Sequence, residues 1–251
     1  MLNVTFIHHS AFLVETDNHL LLFDYFPKEA VESMNFRGKL PEIPADKHLY
    51  VFASHGHKDH FSIEVLRLIE NHPDTTYILS KDIRLGKNYL IRNGIDPSIK
   101  EHIHWVKDVN TYTVDDMKVN TLRSTDEGVA FLVNVDGLNI YHAGDLHWWN
   151  AGDAREIYGN LIGKAYKKEV NRLQNTHIDL AFVVLDGRLG DGYALGMEYF
   201  LENIDADLVF PMHMWQEWDL VKKLKRNPKL VNLEKKVVDI DRENIIFYNI
   251  V

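Results

Sequence analysis

The chain has 251 residues, of which 45% are hydrophobic and 26% charged, as in folded proteins with a substantial core. Because it has no cysteine, a disulfide framework, a zinc ribbon and a cysteine nucleophile are excluded, and histidine and carboxylates must supply any metal site. Its 28 basic and 37 acidic residues give a formal net charge of -9, which disfavours a nucleic-acid partner. We therefore expect a small-molecule substrate.

The hydrophobic pattern contains no candidate membrane segment. The apolar runs are much shorter than the roughly 20 residues of a bilayer span. Residues 1–6 alternate like a strand and lack the basic region of a signal peptide. We expect a cytoplasmic protein that does not associate with membranes, and the sequence predicts no particular oligomeric state.

Alternating or continuously apolar segments predict strands in two sets. The first set covers residues 4–6, 11–15, 20–23, 49–53, 76–79 and 104–106. The second set covers residues 111–114, 118–122, 129–135, 139–141, 180–185, 208–210 and 245–250. Within the second set, the pair Asp136-Gly137 predicts a tight hairpin turn, because both residues tolerate positive φ.

Helical periodicity follows or separates these strands. We expect helices at residues 63–69 with Ser62 as N-cap, and at residues 82–92, 154–173, 195–203 and 218–225. Two groups of strands with helices between them predict an α+β fold of four αββα layers, in which helices cover two packed sheets. No linker-like segment interrupts the pattern, so residues 1–251 are predicted to form a single domain.

Residues 54–61, with the sequence SHGHKDHF, form the most informative segment. They follow a predicted strand and precede a predicted helix, so they lie on a loop at the carboxyl end of a strand. Residues two apart in an extended loop project to the same side, which lets His55 and His57 face one ion. Asp59 and His60 then turn toward a second position, and the segment predicts two adjacent metal sites.

This segment resembles the HxHxDH signature of the metallo-β-lactamase-fold hydrolases. Two later features of the sequence resemble the same family: Asp145 after an Ala-Gly step, and His213 after Pro211-Met212. The resemblance implies a metallo-β-lactamase-like αββα sandwich with a one- or two-metal site at one edge of its sheets. It also implies that Asp145 bridges the ions and that His213 is a ligand.

Residues 7–15 and 22–24 are similar to a branch of this superfamily that includes sugar-phosphate lactonases and related metal-dependent hydrolases. Members of this branch have a His-Ser or His-Ala step near the N-terminus and an aspartate at the end of the third strand. The resemblance implies that His9 lines the active site. It also implies that Asp24 orients a ligand histidine through the imidazole N–H that does not face the metal.

The sequence departs from the family at residues 124–128, where members commonly have a further ligand histidine and this chain has STDEG. Asp126 is the first candidate to replace that ligand. His142 or His147 is an alternative, and so is a weak or empty first site. A carboxylate ligand would favour Mn²⁺ or Fe²⁺ relative to an all-imidazole zinc site.

The resulting hypothesis is a hydrolase that uses two divalent ions, Zn²⁺ or Mn²⁺ with Fe²⁺ as an alternative, and a metal-bound hydroxide. The substrate would be a small ester, lactone or phosphoester. The expected ligands are His55, His57 and Asp126 for the first ion, His60, His213 and Asp59 for the second, and Asp145 as the bridge. Asp59 would also be the general base, and His9, Asp59 and Asp145 form the predicted catalytic group.

Three other functions fit parts of the pattern. Loss of the usual histidine would suit a binding module without catalysis. A di-iron oxidoreductase on the same fold would resemble HxExDH, with glutamate at the position of His57, and would usually carry a flavin domain. An RNA-processing nuclease is disfavoured by the acidic balance.

Two other groups of residues allow two interpretations each. Arg188, after Asp186-Gly187, is either an anion-binding residue or a surface arginine. The tryptophans beside Asp145 and His213 either pack in the core or line the cleft. They are Trp148, Trp149, Trp215 and Trp218.

Overall fold

A computed structural model describes residues 2–31, 35–150 and 156–250. Its contacts divide the chain into two compact units. Unit 1 comprises Met1–Lys107 and Glu243–Val251, and unit 2 comprises Asp108–Arg242. The predicted single domain over residues 1–251 stays a prediction.

The strands are β1 Asn3–His8, β2 Ala11–Glu15, β3 His19–Phe23, β4 His48–Ala53, β5 Thr75–Ser80, β6 Ile103–Val106, β7 Thr111–Val114, β8 Met117–Arg123, β9 Val129–Val135, β10 Leu138–His142, β11 Ile178–Val184, β12 Ala206–Met212 and β13 Ile245–Phe247. The α-helices are α1 Leu68–Asn71, α2 Lys87–Arg92, α3 Glu156–Val170, α4 Leu195–Asn203 and α5 Asp219–Lys225. Short 3₁₀ helices cover Lys28–Val31, Ile63–Arg67, Pro97–His102, Asn171–Leu173, Gly187–Gly192, Pro228–Leu230 and Glu234–Lys236. Each strand expected from the sequence is present within a few residues of its predicted bounds. The strand predicted at residues 245–250 pairs with β1, however, so its assignment to the second set was wrong.

Unit 1 contains a seven-stranded mixed sheet in the order β13-β1-β2-β3-β4-β5-β6. Strands β13, β1, β2 and β3 pair antiparallel, and β3 to β6 pair parallel. The central parallel strand β4 is buried from Leu49 to Ala53, as expected for a strand covered on both faces. Leu22, Val51 and Leu79 from three neighbouring strands belong to one buried apolar cluster, which fixes the carboxyl ends of these strands side by side.

Unit 2 contains a six-stranded mixed sheet in the order β12-β11-β10-β9-β8-β7. Strands β7 to β10 form antiparallel hairpins, and β10, β11 and β12 are parallel. The β9–β10 turn confirms the prediction from Asp136-Gly137, because these two residues have φ of 49° and 78°. In both units, therefore, three or more parallel strands end at one sheet edge.

The helix predicted at residues 82–92 begins only at Lys87, so the prediction was wrong at its start. Residues 82–86 stay nonhelical because Ile83 and Leu85 are buried in the core and Asp82 accepts a hydrogen bond from the Gly56 N–H. The helix predicted at residues 63–69 is a 3₁₀ turn continued by α1, and Ser62 caps it as expected. Residues 154 and 155 of the helix predicted at 154–173 lie outside the described residues.

Among the described residues, no helix combines the length and the apolar character that crossing a bilayer requires.

Candidate metal centre

In unit 1, chemically active side chains follow three adjacent parallel strands. Asp24 follows β3, Ser54 and His55 follow β4, and Asp82 lies just beyond β5. The Asp24 N–H donates to the Phe52 carbonyl of β4, so the two strand ends are held in register. Because carboxyl ends of parallel strands share one edge, residues far apart in sequence meet there.

Asp24 is a fully buried carboxylate that accepts hydrogen bonds from three groups. Its Oδ1 accepts from the Ser54 N–H at 2.7 Å, and its Oδ2 accepts from Ser54 Oγ at 2.6 Å. Oδ2 also lies 2.8 Å from Nδ1 of His60. An ionised carboxylate only accepts, so His60 carries its proton on Nδ1 and leaves Nε2 as the nitrogen with a lone pair. This geometry matches the orienting role that the family resemblance implies for Asp24.

His55 is linked to the same carboxylate through Ser54. Ser54 Oγ lies 2.9 Å from Nδ1 of His55, and the serine proton is already directed at Asp24. The serine oxygen therefore accepts from the Nδ1–H of His55, which leaves Nε2 of His55 with a lone pair. That Nε2 lies 3.0 Å from Nδ1 of His57. His55 is buried and His57 is exposed, so the pair is accessible to solvent only at His57.

The remaining predicted residues of unit 1 form a second group. Single ligand atoms of His9, Asp59 and His60 lie within 4.8 Å of one another. Nε2 of His9 lies 3.3 Å from Oδ2 of Asp59, and the rings of His9 and His60 meet edge to face at 5.6 Å. Three donors at this spacing suit a divalent cation. The structure thus places His9 beside Asp59 and His60, and the catalytic roles of His9 and Asp59 stay predictions.

Unit 2 repeats the arrangement at the ends of β10, β11 and β12. Asp145 lies three residues after β10, Asp186 two residues after β11, and His213 directly after β12. Nε2 of His213 lies 3.5 Å from Oδ1 of Asp145. The parallel pairing of Val184 with Met212 brings the last two strands to the same edge.

Asp126 also belongs to this part of unit 2. One carboxylate oxygen of Asp126 and one of Asp145 lie within 4.8 Å of each other. The β8–β9 loop is fixed to the Asp145 segment by Thr125, whose Oγ1 donates to the His147 carbonyl at 2.6 Å. The His147 N–H donates back to Thr125 Oγ1 at 2.9 Å. The segment that lacks the usual histidine therefore holds an exposed carboxylate near Asp145.

Asp186 orients His213 as Asp24 orients His60, and its role was missed in the sequence. Its Oδ2 lies 2.9 Å from Nδ1 of His213. Arg188 donates to Asp186 from Nε at 3.0 Å and from Nη2 at 2.5 Å. Burial acts to raise the pKa of Asp186, but hydrogen bonds from His213 and Arg188 outweigh it and hold that pKa well below its usual range. The only sequence signal was the position of Asp186 at a strand end.

His142 and His147 are the alternatives to Asp126 as the replacement ligand, and both are buried in unit 2. Nδ1 of His142 accepts from the Gly144 N–H at 3.1 Å. His147 is fully buried, and neither ring nitrogen has a hydrogen-bond partner among residues 2–31, 35–150 and 156–250. Burial lowers the pKa of His147 to about 3, although nearby Asp186 and Asp145 act to raise it. His147 is thus a neutral imidazole at physiological pH.

The tryptophans combine packing with hydrogen bonding. Trp149 Nε1 donates to the Asp145 carbonyl at 3.1 Å, and its ring meets that of His213 at 5.7 Å. Trp215 lies under the Arg188 guanidinium at 4.3 Å. Trp149 and Trp215 therefore pack directly against the residues predicted to carry chemistry.

Comparison with known proteins places the chain in a family. The model of the β-lactamase superfamily domain matches residues 3–157, more than half of the chain. The chain belongs to this family. The predicted membership of the metallo-β-lactamase-fold, metal-dependent hydrolase superfamily is therefore confirmed, as is the α+β fold class.

Individual relatives agree with this membership. A UPF0173 metal-dependent hydrolase of Methanosarcina mazei is 25% identical over 236 residues, covering 88% of this chain and 86% of the relative. The metallo hydrolase Igni18 of Ignicoccus hospitalis has a TM-score of 0.57 at 17% identity, covering 98% of each chain. The diiron β-hydroxylase CmlA of Streptomyces venezuelae has a TM-score of 0.53 at 13% identity, covering 86% of this chain and 45% of its own. The two solved structures are similar in fold.

Proposed function

We propose that this protein hydrolyses a small ester, lactone or phosphoester with the help of two divalent metal ions. The observation that carries the proposal is the pair of buried carboxylate–imidazole contacts, Asp24 with His60 and Asp186 with His213. Each contact places the proton on Nδ1 and leaves Nε2 with a lone pair that can coordinate a metal, which is the usual state of a metal-ligating histidine. The donor set at these strand ends thus fits a metal centre.

We assign the ligands as the sequence predicts them. His55, His57 and Asp126 would hold the first ion, and His60, His213 and Asp59 would hold the second, with Asp145 as the ligand that the sequence predicts to be shared. Ions bound there would lower the pKa of a coordinated water and polarise the substrate's acyl or phosphoryl oxygen. Histidine and carboxylate donors without cysteine suit Zn²⁺, Mn²⁺ or Fe²⁺, and the carboxylate at position 126 favours the harder ions.

Asp59 accepts the proton of the attacking water in this proposal, and His9 positions Asp59. Asp59 is partly exposed, so its carboxylate can reach a water molecule, and His9 is buried beside it with Nε2 at 3.3 Å. A carboxylate in this position can orient the attacking water and accept its proton. His9 keeps the Asp59 carboxylate in place by contact with Oδ2.

The formal net charge of -9 supports a small molecule as the substrate and argues against nucleic acid. The fold similarity to CmlA keeps a di-iron oxidoreductase as the second candidate. Against it, this chain has His57 where the di-iron signature has glutamate, so its first site is richer in imidazole.

The test is reconstitution of the purified chain with Zn²⁺, Mn²⁺ or Fe²⁺, followed by assays on carboxylic esters, lactones, phosphomonoesters and phosphodiesters. Metal-stimulated turnover that a chelator abolishes, in at least one substrate class, supports hydrolysis. Metal binding without turnover of any class would favour the binding module. Dioxygen consumption by the iron form with a reductant, without hydrolysis, would favour the oxidoreductase.

A further inference from the structure

Asp186 is a carboxylate of unit 2 that contacts hydrogen-bond donors of three residues, Arg188, His213 and Trp215. Its side chain is completely buried at the carboxyl end of β11. The Leu185 N–H donates to the Met212 carbonyl at 2.9 Å, which continues the β11–β12 pairing up to the residues before Asp186 and His213. The backbone therefore fixes the distance between this carboxylate and the imidazole of His213.

The groups around Asp186 are almost all obligatory donors. Besides the three guanidinium contacts, Oδ1 accepts from the Arg188 N–H at 2.9 Å, and Oδ2 lies 3.4 Å from Nε1 of Trp215. Neither the guanidinium nor the indole can accept a hydrogen bond, so Asp186 stays ionised as an acceptor. The remaining partner, Nδ1 of His213, must then donate.

Arg188 is suited to hold Asp186 in this state. A buried carboxylate needs a compensating charge, and arginine offers a planar fork that engages both oxygens. The Arg188 side chain is 53% exposed, and its guanidinium stacks on Trp215 at 4.3 Å. Asp186 therefore lies between the half-exposed Arg188 and the buried His213.

We infer that Asp186 and Arg188 form a positioning pair. The pair fixes His213 as its Nδ1–H tautomer, so that Nε2 presents a lone pair for metal coordination. The role of Nε2 as a metal ligand rests on the proposed function, but the tautomer itself does not. Asp24 reaches the same result for His60 without an arginine, through the Ser54 N–H and hydroxyl. Arg188 therefore has the role in unit 2 that Ser54 has in unit 1: each donates hydrogen bonds to the carboxylate that orients the histidine.

The first experiment measures the tautomer in the metal-free protein by ¹⁵N NMR of the histidine side chains. In the parent we expect His213 to be Nδ1-protonated near neutral pH. Asp186→Asn replaces the charged acceptor and should produce a mixture of tautomers or the Nε2–H form. Arg188→Gln should loosen the preference, and Arg188→Lys should restore it in part because the charge returns without the fork. Asp191→Asn, an exposed aspartate of the same 3₁₀ segment, is the matched control.

The second experiment titrates Zn²⁺ into the same proteins. We expect Asp186→Asn to weaken binding at the His213 site by about 10–100-fold, the usual loss when a ligand's outer partner is removed. Arg188→Gln should weaken it less, and Asp191→Asn should match the parent. If Asp186→Asn fails to fold, Arg188→Gln carries the test, because its side chain is half exposed.

The outcomes separate the inference from the proposed function. An unchanged Nδ1–H tautomer in both Asp186→Asn and Arg188→Gln would overturn the inference whatever the metal data show. A tautomer that shifts as expected, in a parent that binds no metal, would support the positioning pair and contradict the metal centre instead.

Discussion

Nδ1 of His60 donates to Oδ2 of Asp24 over 2.8 Å, and the same oxygen accepts from the Ser54 hydroxyl that orients His55. One buried carboxylate thus sets the ring orientation of two histidines that the sequence assigns to different ions. Orientation by a shared partner makes the two imidazoles interdependent.

Asp24→Asn should lower the free energy of unfolding by about 1–3 kcal/mol, because an amide cannot accept from all three donors and leaves at least one of them unsatisfied. Chemical denaturation measures the change. Asp46→Asn at an exposed position is the control and should stay within about 0.5 kcal/mol of the parent. Equal stability of the two variants would show that Asp24 does not organise this site.

Gly196 of α4 packs against His147 so closely that a Cβ atom there would lie 2.5 Å from Nδ1 of the imidazole. Gly196→Ala should therefore lower the free energy of unfolding by about 1–3 kcal/mol through overpacking. In a His147→Ala background the same substitution should cost much less, because the ring is gone. A double-mutant cycle with no coupling energy would contradict this packing.

We expect the buried His8 to make the free energy of unfolding sensitive to acid. It is fully buried among Phe26, Phe36 and Tyr25, and burial lowers its pKa to about 4. The unfolded chain, with a histidine pKa near 6.5, binds this proton first. The free energy of unfolding therefore falls as the pH drops from about 6.5 toward 4, by up to about 3 kcal/mol.

His8→Leu should remove that part of the pH dependence, since leucine is apolar and of similar size. Denaturation of the parent and the variant at several pH values between about 4 and 7 measures it, and the exposed His104→Leu is the control. Parallel stability curves for the parent and His8→Leu would rule out the buried neutral histidine.

Asp126 predicts the metal preference of the first site. Its carboxylate lies within 4.8 Å of that of Asp145, where the family commonly has an imidazole donor. Asp126→Ala should lower the affinity for one of the two ions by at least about tenfold. Removal of a residue that only contacts a ligand already costs about that much, so loss of a ligand should cost no less. Asp126→His should shift preference from Mn²⁺ toward Zn²⁺.

Competitive titrations with Zn²⁺ and Mn²⁺ measure both effects. The neighbouring exposed Glu127→Ala is the matched control and should bind like the parent. If Asp126→Ala bound two ions as tightly as the parent, Asp126 would not be a ligand, and His142 or His147 would become the first candidate.

The strands were predictable because their signals are local. Alternation along each segment and the paired turn residues Asp136-Gly137 lie within a few residues of each other. Asp24 was predicted through the family resemblance. The link from Asp186 to His213 was not, because these residues are 27 positions apart and meet only through the parallel pairing of β11 and β12. Periodicity predicts that strands exist but not which strands are neighbours.

The end of a strand and the start of a helix were also less predictable than the strand itself. Residues 82–86 have helical periodicity, yet the Asp82 carboxylate binds the Gly56 N–H of the histidine motif at 2.8 Å. That contact keeps the segment out of a helix and is invisible in local sequence. Arg188 is also more than a surface arginine, because its half-exposed guanidinium binds the buried Asp186 carboxylate.

We propose that histidines at these strand ends hold ions required for hydrolysis. The most direct measurement is the metal content per chain, together with the rate of hydrolysis, in matched preparations of the parent, His57→Ala, His213→Ala and the exposed-surface control His102→Ala. We predict that His57→Ala and His213→Ala each lose bound metal and at least about 100-fold in rate, the upper end of the loss for an outer partner of a ligand. All four proteins should keep parent-like circular dichroism, and His102→Ala should keep its metal and rate. Full metal content and parent-like turnover in His57→Ala or His213→Ala would contradict the claim.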